Sequence, residues 1–296
     1  MNSRAPVITR LQGGLGNQMY QYAAGRSVAD CLGRPLLIDV RTILPEAPAR
    51  HYDLGAFRIN EQFVSGMNGF CTRWLGSVRA GGLFRALFPG ARSYKYLRDR
   101  EEGFDPDVFA PHGGPIVLHG YWQSYRYFER IADDLRKEFQ FRQEPDRENA
   151  AMLLDIQASE SVCVHVRRGD YVSNAAFKET LSPCGIDYYE RALDSITARV
   201  KSPKFFVFSD DPVWARSNLR FPGPCVTVDH NHGKSDVEDL RLMSQCRHFV
   251  IANSSFSWWG AWLCERSDKT VVAPSRWFKQ DKVPATDRIP PGWIRV

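Results

Sequence analysis

Short apolar runs alternate with amphipathic stretches along this chain, and the alternation occurs in two blocks. Val7–Leu11 reads as a strand, Gln18–Leu32 as a helix with Tyr22, Val28 and Ala29 turned inward, and Pro35–Asp39 as a second strand. The glycine-rich turn Gln12-Gly13-Gly14-Leu15-Gly16-Asn17 joins the first strand to the helix, so the chain opens as a βαβ unit. Residues 60–100 show no clear period and carry several glycines, which predicts an irregular, partly helical insertion. Pro115–Trp122 reads as a strand ending in aromatics, and Tyr125–Phe141 as a helix. The polar, proline-containing Gln143–Arg147 is the best linker, which places a domain boundary at 145/146.

The second block runs more regularly. Ser161–Val166 is a continuous apolar strand, followed by a loop through Ser182–Ile186 and a helix Asp187–Leu193. Strands at Phe205–Phe208, Cys225–Val228, Phe249–Ala252 and a final Val271–Pro274 are interleaved with helices at Trp214–Leu219, Asp236–Cys246 and Phe256–Cys264. Repeated units of this kind predict an α/β protein with mostly parallel sheets covered on both faces.

Composition narrows the picture. A length of 296 residues accommodates two domains, and 43% apolar with 25% charged residues describes a packed chain rather than a disordered one. The net charge of +5 favours phosphorylated ligands or an anionic membrane surface, and is too small and scattered for nucleic acid, for which no signature occurs. Seven dispersed cysteines without a Cys-x-x-Cys pair suit a reducing compartment. Neither a signal-like N-terminus nor a run approaching the roughly 18 apolar residues of a membrane span is found, so a soluble cytoplasmic protein is expected.

Candidate chemistry sits where strands end. His165-Val166-Arg167-Arg168-Gly169-Asp170-Tyr171 closes the most apolar strand, and an arginine fork beyond a strand's carboxyl end can grip a diphosphate. His165 points inward by strand alternation and reads as a hydrogen-bonded structural residue rather than a base. Asn253-Ser254-Ser255-Phe256-Ser257-Trp258-Trp259 lies between a strand and a helix; it reads as an anion-accepting helix start or as a routine serine cap with tryptophans in the core. Asp210 and Asp211 suit a helix cap or a ribose contact better than a metal, since no further ligand cluster accompanies them. Asp239 reads either as an acceptor for a guanine edge or as part of a solvated helix face. The glycine turn, with Gly14, Gly16 and Asn17, reads as backbone geometry or as close approach to a ligand. For the aromatics of Gly120–Tyr127, sugar stacking and a core stripe stand level.

Taken in order, Gly13–Gln18, His165–Tyr171, Phe208–Asp211, Asp239–Ser244 and Asn253–Trp262 resemble the α-1,2-fucosyltransferases of glycosyltransferase family 11, in a bacterial-type form. The resemblance implies a GT-B architecture of two Rossmann-like domains facing a central cleft. Residues 1–145 would form the acceptor side and 146–296 the donor-binding domain. It further implies GDP-L-fucose as donor, a terminal β-galactoside as acceptor, inversion to an α-1,2 linkage, and no metal or other cofactor. By position, Arg167 would bind the β-phosphate and stabilise the departing GDP, Arg168 would support the loop and could reach the diphosphate or acceptor, and Asn17 would lie near the donor phosphate and fucose. Asp239 would contact guanosine, with Ser254, Ser255 and Phe256 lining the nucleotide pocket and Asp210, Asp211, His165, Gly14 and Gly16 as further donor contacts. Asp170 is the candidate base, because it adjoins the arginines. A non-catalytic nucleotide-sugar or glycan-binding protein, and a fucosyltransferase of different linkage, are the alternatives. The acceptor is open among an O-antigen repeat, a capsular unit and a free oligosaccharide; the segment Arg73–Arg100 is compatible with work on a lipid-linked glycan beside the inner membrane face. Oligomeric state is not legible.

Overall fold

The computed structural model describes residues 5–41, 43, 51–75, 81–99, 103–169, 183–231, 236–278 and 287–296. The chain divides into two compact units, Met1–Arg142 and Gln143–Val296. The division falls three residues before the expected 145/146, so the linker's first residues belong to the second unit.

The first unit is built on four strands, β1 (Val7–Arg10), β2 (Leu36–Asp39), β3 (Lys95–Arg98) and β4 (Ile116–His119), in the order β2-β1-β4-β3 with every pair parallel. The helix Leu15–Leu32 crosses from β1 to β2 and begins earlier than the expected Gln18. Gly14 caps it in extended conformation, and its carbonyl accepts the N–H groups of Asn17 (3.0 Å) and Gln18 (3.1 Å). Gly16 and Asn17 therefore lie in the first helical turn rather than in a free loop.

Two further expectations are corrected in this unit. The segment 60–100 is not simply irregular: it forms helices Gly66–Leu75 and Gly81–Leu87 and then β3, an edge strand. The single helix expected over Tyr125–Phe141 is broken into 3-10 turns at Tyr125–Tyr127 and Glu129–Ile131 and an α-helix at Ala132–Glu138. Buried rings decide this, because Tyr127 packs edge-on against Trp122 (5.4 Å) and Phe128 against Tyr20 (5.9 Å). Trp122 and Tyr127 are thus core residues, while Tyr121 and Tyr125 remain half-buried.

The second unit carries β5 (Ser161–Val166), β6 (Lys204–Ser209), β7 (Cys225–Val228), β8 (His248–Val250), β9 (Val271–Ala273) and β10 (Ile294–Arg295). All pairs are parallel, in the order β10-β9-β8-β5-β6-β7. The strand at 271–274 was expected to be the last; β10 pairs beyond it. Counted from β5, the order is 3-2-1-4-5-6, that of a dinucleotide-type doubly wound sheet. The chain reverses direction across the sheet between β5 and β8, and ligands of such sheets bind beyond the strand ends at that reversal.

Every residue of β5 is buried, which explains its largely apolar sequence, with Ser161 and His165 as the polar exceptions. Val162, Val164 and Val166 pack with Tyr188, Tyr189, Ala192, Leu193 and Ile196 of the helix Ile186–Thr197. The helix Ser255–Leu263 buries Trp258, Trp259 and Trp262, each contributing roughly 4–6 kcal/mol of gross apolar burial. That burial fixes where the helix starts. All seven thiols are free, four of them buried.

Candidate functional site

The loop after β5 is held by one aspartate. Asp210, at the end of β6, accepts the backbone N–H groups of Arg168 (2.8 Å) and Gly169 (2.9 Å) and pairs with the Arg167 guanidinium at 3.1 Å. Both carboxylate oxygens are thereby committed to the loop, so Asp210 shapes the arginine site from within. A Cβ at Gly169 would sit 2.8 Å from an Asp210 oxygen, so any larger residue there would displace the carboxylate that braces the loop. Arg167 pairs with Asp210 and keeps 28% of its side chain exposed.

Arg168 is placed differently. Its guanidinium carbon lies 3.9 Å from the Trp214 ring centroid, and its Nε is 3.6 Å from Asp211. Asp211 also caps the helix Pro212–Asn218 by accepting from the Trp214 N–H at 3.0 Å. The cap reading therefore holds for Asp211. Among the described residues no group of three His, Cys, Asp or Glu side chains is placed to hold a metal.

β8 lies beside β5, and its continuation supplies the second wall. Asn253 and Ser254 are buried; Asn253 donates to the Trp277 carbonyl (2.9 Å), and Ser254 accepts from Phe256 N–H (3.3 Å) as the N-cap of Ser255–Leu263. The N–H groups of this first turn carry the positive end of the helix dipole. The cap reading of this motif holds, with a serine cap at the helix start and tryptophans in the core. His165 joins the two walls: its ring centroid is 5.8 Å from that of Phe256, and its carbonyl accepts from Tyr189. The expectation of a hydrogen-bonded imidazole is corrected, because its buried Nδ1 has no hydrogen-bond partner among the described residues. Burial, and then the charge of Arg167, push its pKa down to about 3, so the ring is neutral near pH 7.

Asp239, on the helix Asp236–Gln245, is not on a solvated face. Burial lifts its carboxyl, the bond from Asn231 Nδ2 (2.9 Å) opposes the lift, and Asp236 and Glu238 add to it, for a pKa of about 7. Asn231 is in turn bonded to Asn149, which also takes His230 and the helix-capping Asp146. A carboxylate held by amides alone, in a partly buried place, keeps acceptor capacity for a ligand.

In the first unit, Gly13 adopts φ +76°, a left-handed conformation in which a Cβ would lie 2.6 Å from Asn17. Two fully buried glutamines fix the turn: Gln18 reaches the Gly13 carbonyl (3.1 Å), and Gln21 exchanges bonds with the backbone of Gln12. The Asn17 amide oxygen accepts from Gln123, beyond β4, at 2.8 Å. Sequence reasoning missed Gln18, Gln21 and Gln123. It also missed a polar cluster on the strand ends of this sheet, where Arg10 meets Asp39 and Tyr96, and Tyr96 bonds His119. The Arg10–Asp39 and Arg98–His119 register pairs were available only once strand pairing was known. Asp170, the candidate base, lies outside the described residues, as do Tyr171 and Ser182.

Comparison with known proteins agrees with this reading. Residues 89–296 match the model of glycosyl transferase family 11. An α-1,2-colitosyltransferase of Escherichia coli is 34% identical over 295 residues, covering 98% of each chain. The galactoside 2-α-L-fucosyltransferase Sec1 of Mus musculus is 34% identical over 159 residues, 51% of this chain and 43% of that one. The crystal structure of the α-1,6-fucosyltransferase NodZ soaked with GDP-fucose superposes with a TM-score of 0.54 at 17% identity, covering 88% of this chain and 92% of that one. That last likeness is one of fold, and the α/β fold is of the GT-B type. With a family model spanning most of the chain and a relative matching nearly all of it, this protein belongs to glycosyl transferase family 11.

Proposed function

We propose that this protein transfers L-fucose from GDP-β-L-fucose to the 2-hydroxyl of a terminal β-galactoside, inverting the anomeric centre to give an α-1,2 linkage. The observation that carries the reading is the pair of adjacent strand ends at the reversal point. An Arg167-Arg168-Gly169 loop braced by Asp210 follows β5, and a serine-capped helix start follows β8.

As the bond from fucose to the β-phosphate breaks, negative charge grows on GDP and positive charge on the sugar. Donors already fixed in place stabilise that state more than the ground state, because they need no reorganisation when the charge appears. Arg167 is the donor for the β-phosphate, and the N-terminal turn of Ser255–Leu263 is a second source of positive potential. Arg168, clamped on Trp214, keeps the loop in shape. Asp239 accepts from the guanine edge in its ionised form, and Phe256 and His165 supply an apolar wall to the nucleoside. Asn17, whose amide oxygen accepts from Gln123, is assigned to the donor by the family resemblance alone. Asp170 is proposed as the base for the acceptor hydroxyl on sequence position alone. The donor needs no metal in this scheme. The β-galactoside acceptor stays open among an O-antigen repeat, a capsular unit and a free oligosaccharide.

A second donor is favoured by the nearly full-length match to an α-1,2-colitosyltransferase: GDP-colitose, whose sugar is the 3-deoxy counterpart of L-fucose. Purified protein given lactose and each donor in turn separates the readings. Release of GDP with an α-1,2-fucosyl product supports the first, and turnover with GDP-colitose alone supports the second. GDP binding without transfer to any β-galactoside would leave a binding protein and remove the proposal.

A further inference from the structure

The first unit carries a feature that sugar transfer does not use. Among the described residues, seven of the ten exposed large hydrophobic side chains lie between Phe63 and Phe88. On the helix Gly66–Leu75, Met67, Phe70 and Trp74 recur at intervals of three and four, which puts them on one face, while Cys71, Thr72 and Leu75 are buried on the other. Beyond it, Leu83 and Leu87 of the helix Gly81–Leu87, each 65% exposed, continue the apolar surface with Phe88. Ring contacts make the patch continuous: Phe70 meets Phe84 at 5.5 Å and Phe88 at 5.4 Å. Both helices are short and expose this face together.

The surrounding charge has one sign. Residues 62–98 contain Arg73, Arg79, Arg85, Arg92, Lys95 and Arg98 and no Asp or Glu, so six positive charges fall here while the whole chain nets +5 and the remainder −1. Arg73, Arg85 and Arg92 pair with no carboxylate among the described residues. Arg73 lies 5.9 Å from the Trp74 ring centroid, and Arg92 reaches the Arg85 carbonyl at 3.0 Å, which keeps both beside the apolar face.

We propose that this helix pair is a membrane-docking surface, which inserts Met67, Trp74, Leu83 and Leu87 at the level of the lipid headgroups and sets its arginines against anionic phosphates. An amphipathic face with aromatic anchors and a cationic fringe is what an interfacial helix needs. Charge complementarity selects the occupant. A two-fold contact with a second copy would bring the same cationic fringe against itself. An anionic bilayer instead offers both the apolar depth and the opposite charge. Described helices include none long and apolar enough to cross a membrane, so this contact is peripheral. The proposal stands independently of the transfer reaction, and failure of the activity assay leaves it untouched.

Flotation of the full chain with phosphatidylcholine vesicles, with and without phosphatidylglycerol, tests it. Recovery with the anionic vesicles is expected, together with loss in high salt and a blue shift of emission that Trp74→Phe removes. Leu83→Asp/Leu87→Asp and Arg73→Glu/Arg92→Glu should each weaken partitioning by about tenfold or more, from the apolar area or the roughly 1 kcal/mol per cation they remove. Leu154→Asp, an exposed apolar site in the second unit, should leave it unchanged, and unaltered circular dichroism of all variants shows that folding is not the cause. Equal recovery from neutral and anionic vesicles, or binding indifferent to Leu83→Asp/Leu87→Asp, would overturn the proposal. So would a wild-type dimer that ignores vesicles and becomes monomeric in that double variant, since the face would then belong to a second copy.

Discussion

Two carboxylates, Asp39 in the first unit and Asp239 in the second, are treated in opposite ways. Asp39, at the end of β2, is fully buried and charge-matched: Arg41 approaches to 2.7 Å and Arg10 to 3.6 Å. Burial alone would raise its pKa, but the Arg41 hydrogen bonds and charge overcome it and leave the carboxyl below its usual range. Asp239 has an amide partner instead of a cation, and its pKa rises to about 7. A satisfied charge belongs to the architecture. A buried acid left without a counter-charge keeps free acceptor capacity, which is what a ligand can take up. The same contrast separates Arg10, enclosed with Asp39, from Arg167, braced on one side and still 28% exposed.

Removing the partly exposed Arg167 charge should have the largest effect. Arg167→Ala is expected to lower kcat/KM by about two orders of magnitude or more with little change in Tm, because the lost donor acts on the leaving diphosphate. Full activity in a folded Arg167→Ala protein would dissolve the contrast. Asp39→Ala should do the reverse, lowering stability by about 3 kcal/mol in urea denaturation through the guanidiniums it strands. Its depressed pKa gives stability that is present above about pH 4 and lost as pH falls through the folded value.

Asp239 should show itself through pH. The guanine edge needs the ionised carboxyl, so GDP affinity should fall about tenfold between pH 8 and pH 6 for a pKa of about 7, and Asp239→Asn should bind weakly without that dependence. Its raised pKa acts on stability with the opposite sign to Asp39: the folded state holds the proton more tightly, so the contribution is favourable at acid pH and is lost as pH rises from about 4 to 7. A flat affinity profile, measured by calorimetry, would detach Asp239 from the base. The smallest effect is expected for Gln123→Ala, a several-fold drop in kcat from a loosened Asn17 amide with KM for the acceptor nearly unchanged.

Legibility followed the range of the interactions. β5 was readable because a central parallel strand is buried at every position and is mostly apolar, and the loops after β5 and β8 were readable because glycine, arginine and capping serine state their local geometry. The edge strand β3, Lys-Tyr-Leu-Arg with no buried residue, gives no such signal. β10 is two residues whose identity as a strand depends on pairing with β9. Tyr125–Phe141 has helical composition, yet burying Tyr127 and Phe128 under the first helix broke it into turns. At the site, the arginines were visible in the sequence, but their brace was not. Nothing local to Asp210 says that it accepts from the backbone of residues 168 and 169, 42 and 41 positions upstream in the chain.

The direct measurement of the central claim is a crystal structure of the protein with GDP, grown in EDTA. The account predicts the β-phosphate about 3 Å from the Arg167 guanidinium and close to the Ser255 end of its helix, with the guanine edge on Asp239. GDP bound away from the ends of β5 and β8, or bound only when a divalent cation is restored, would contradict it.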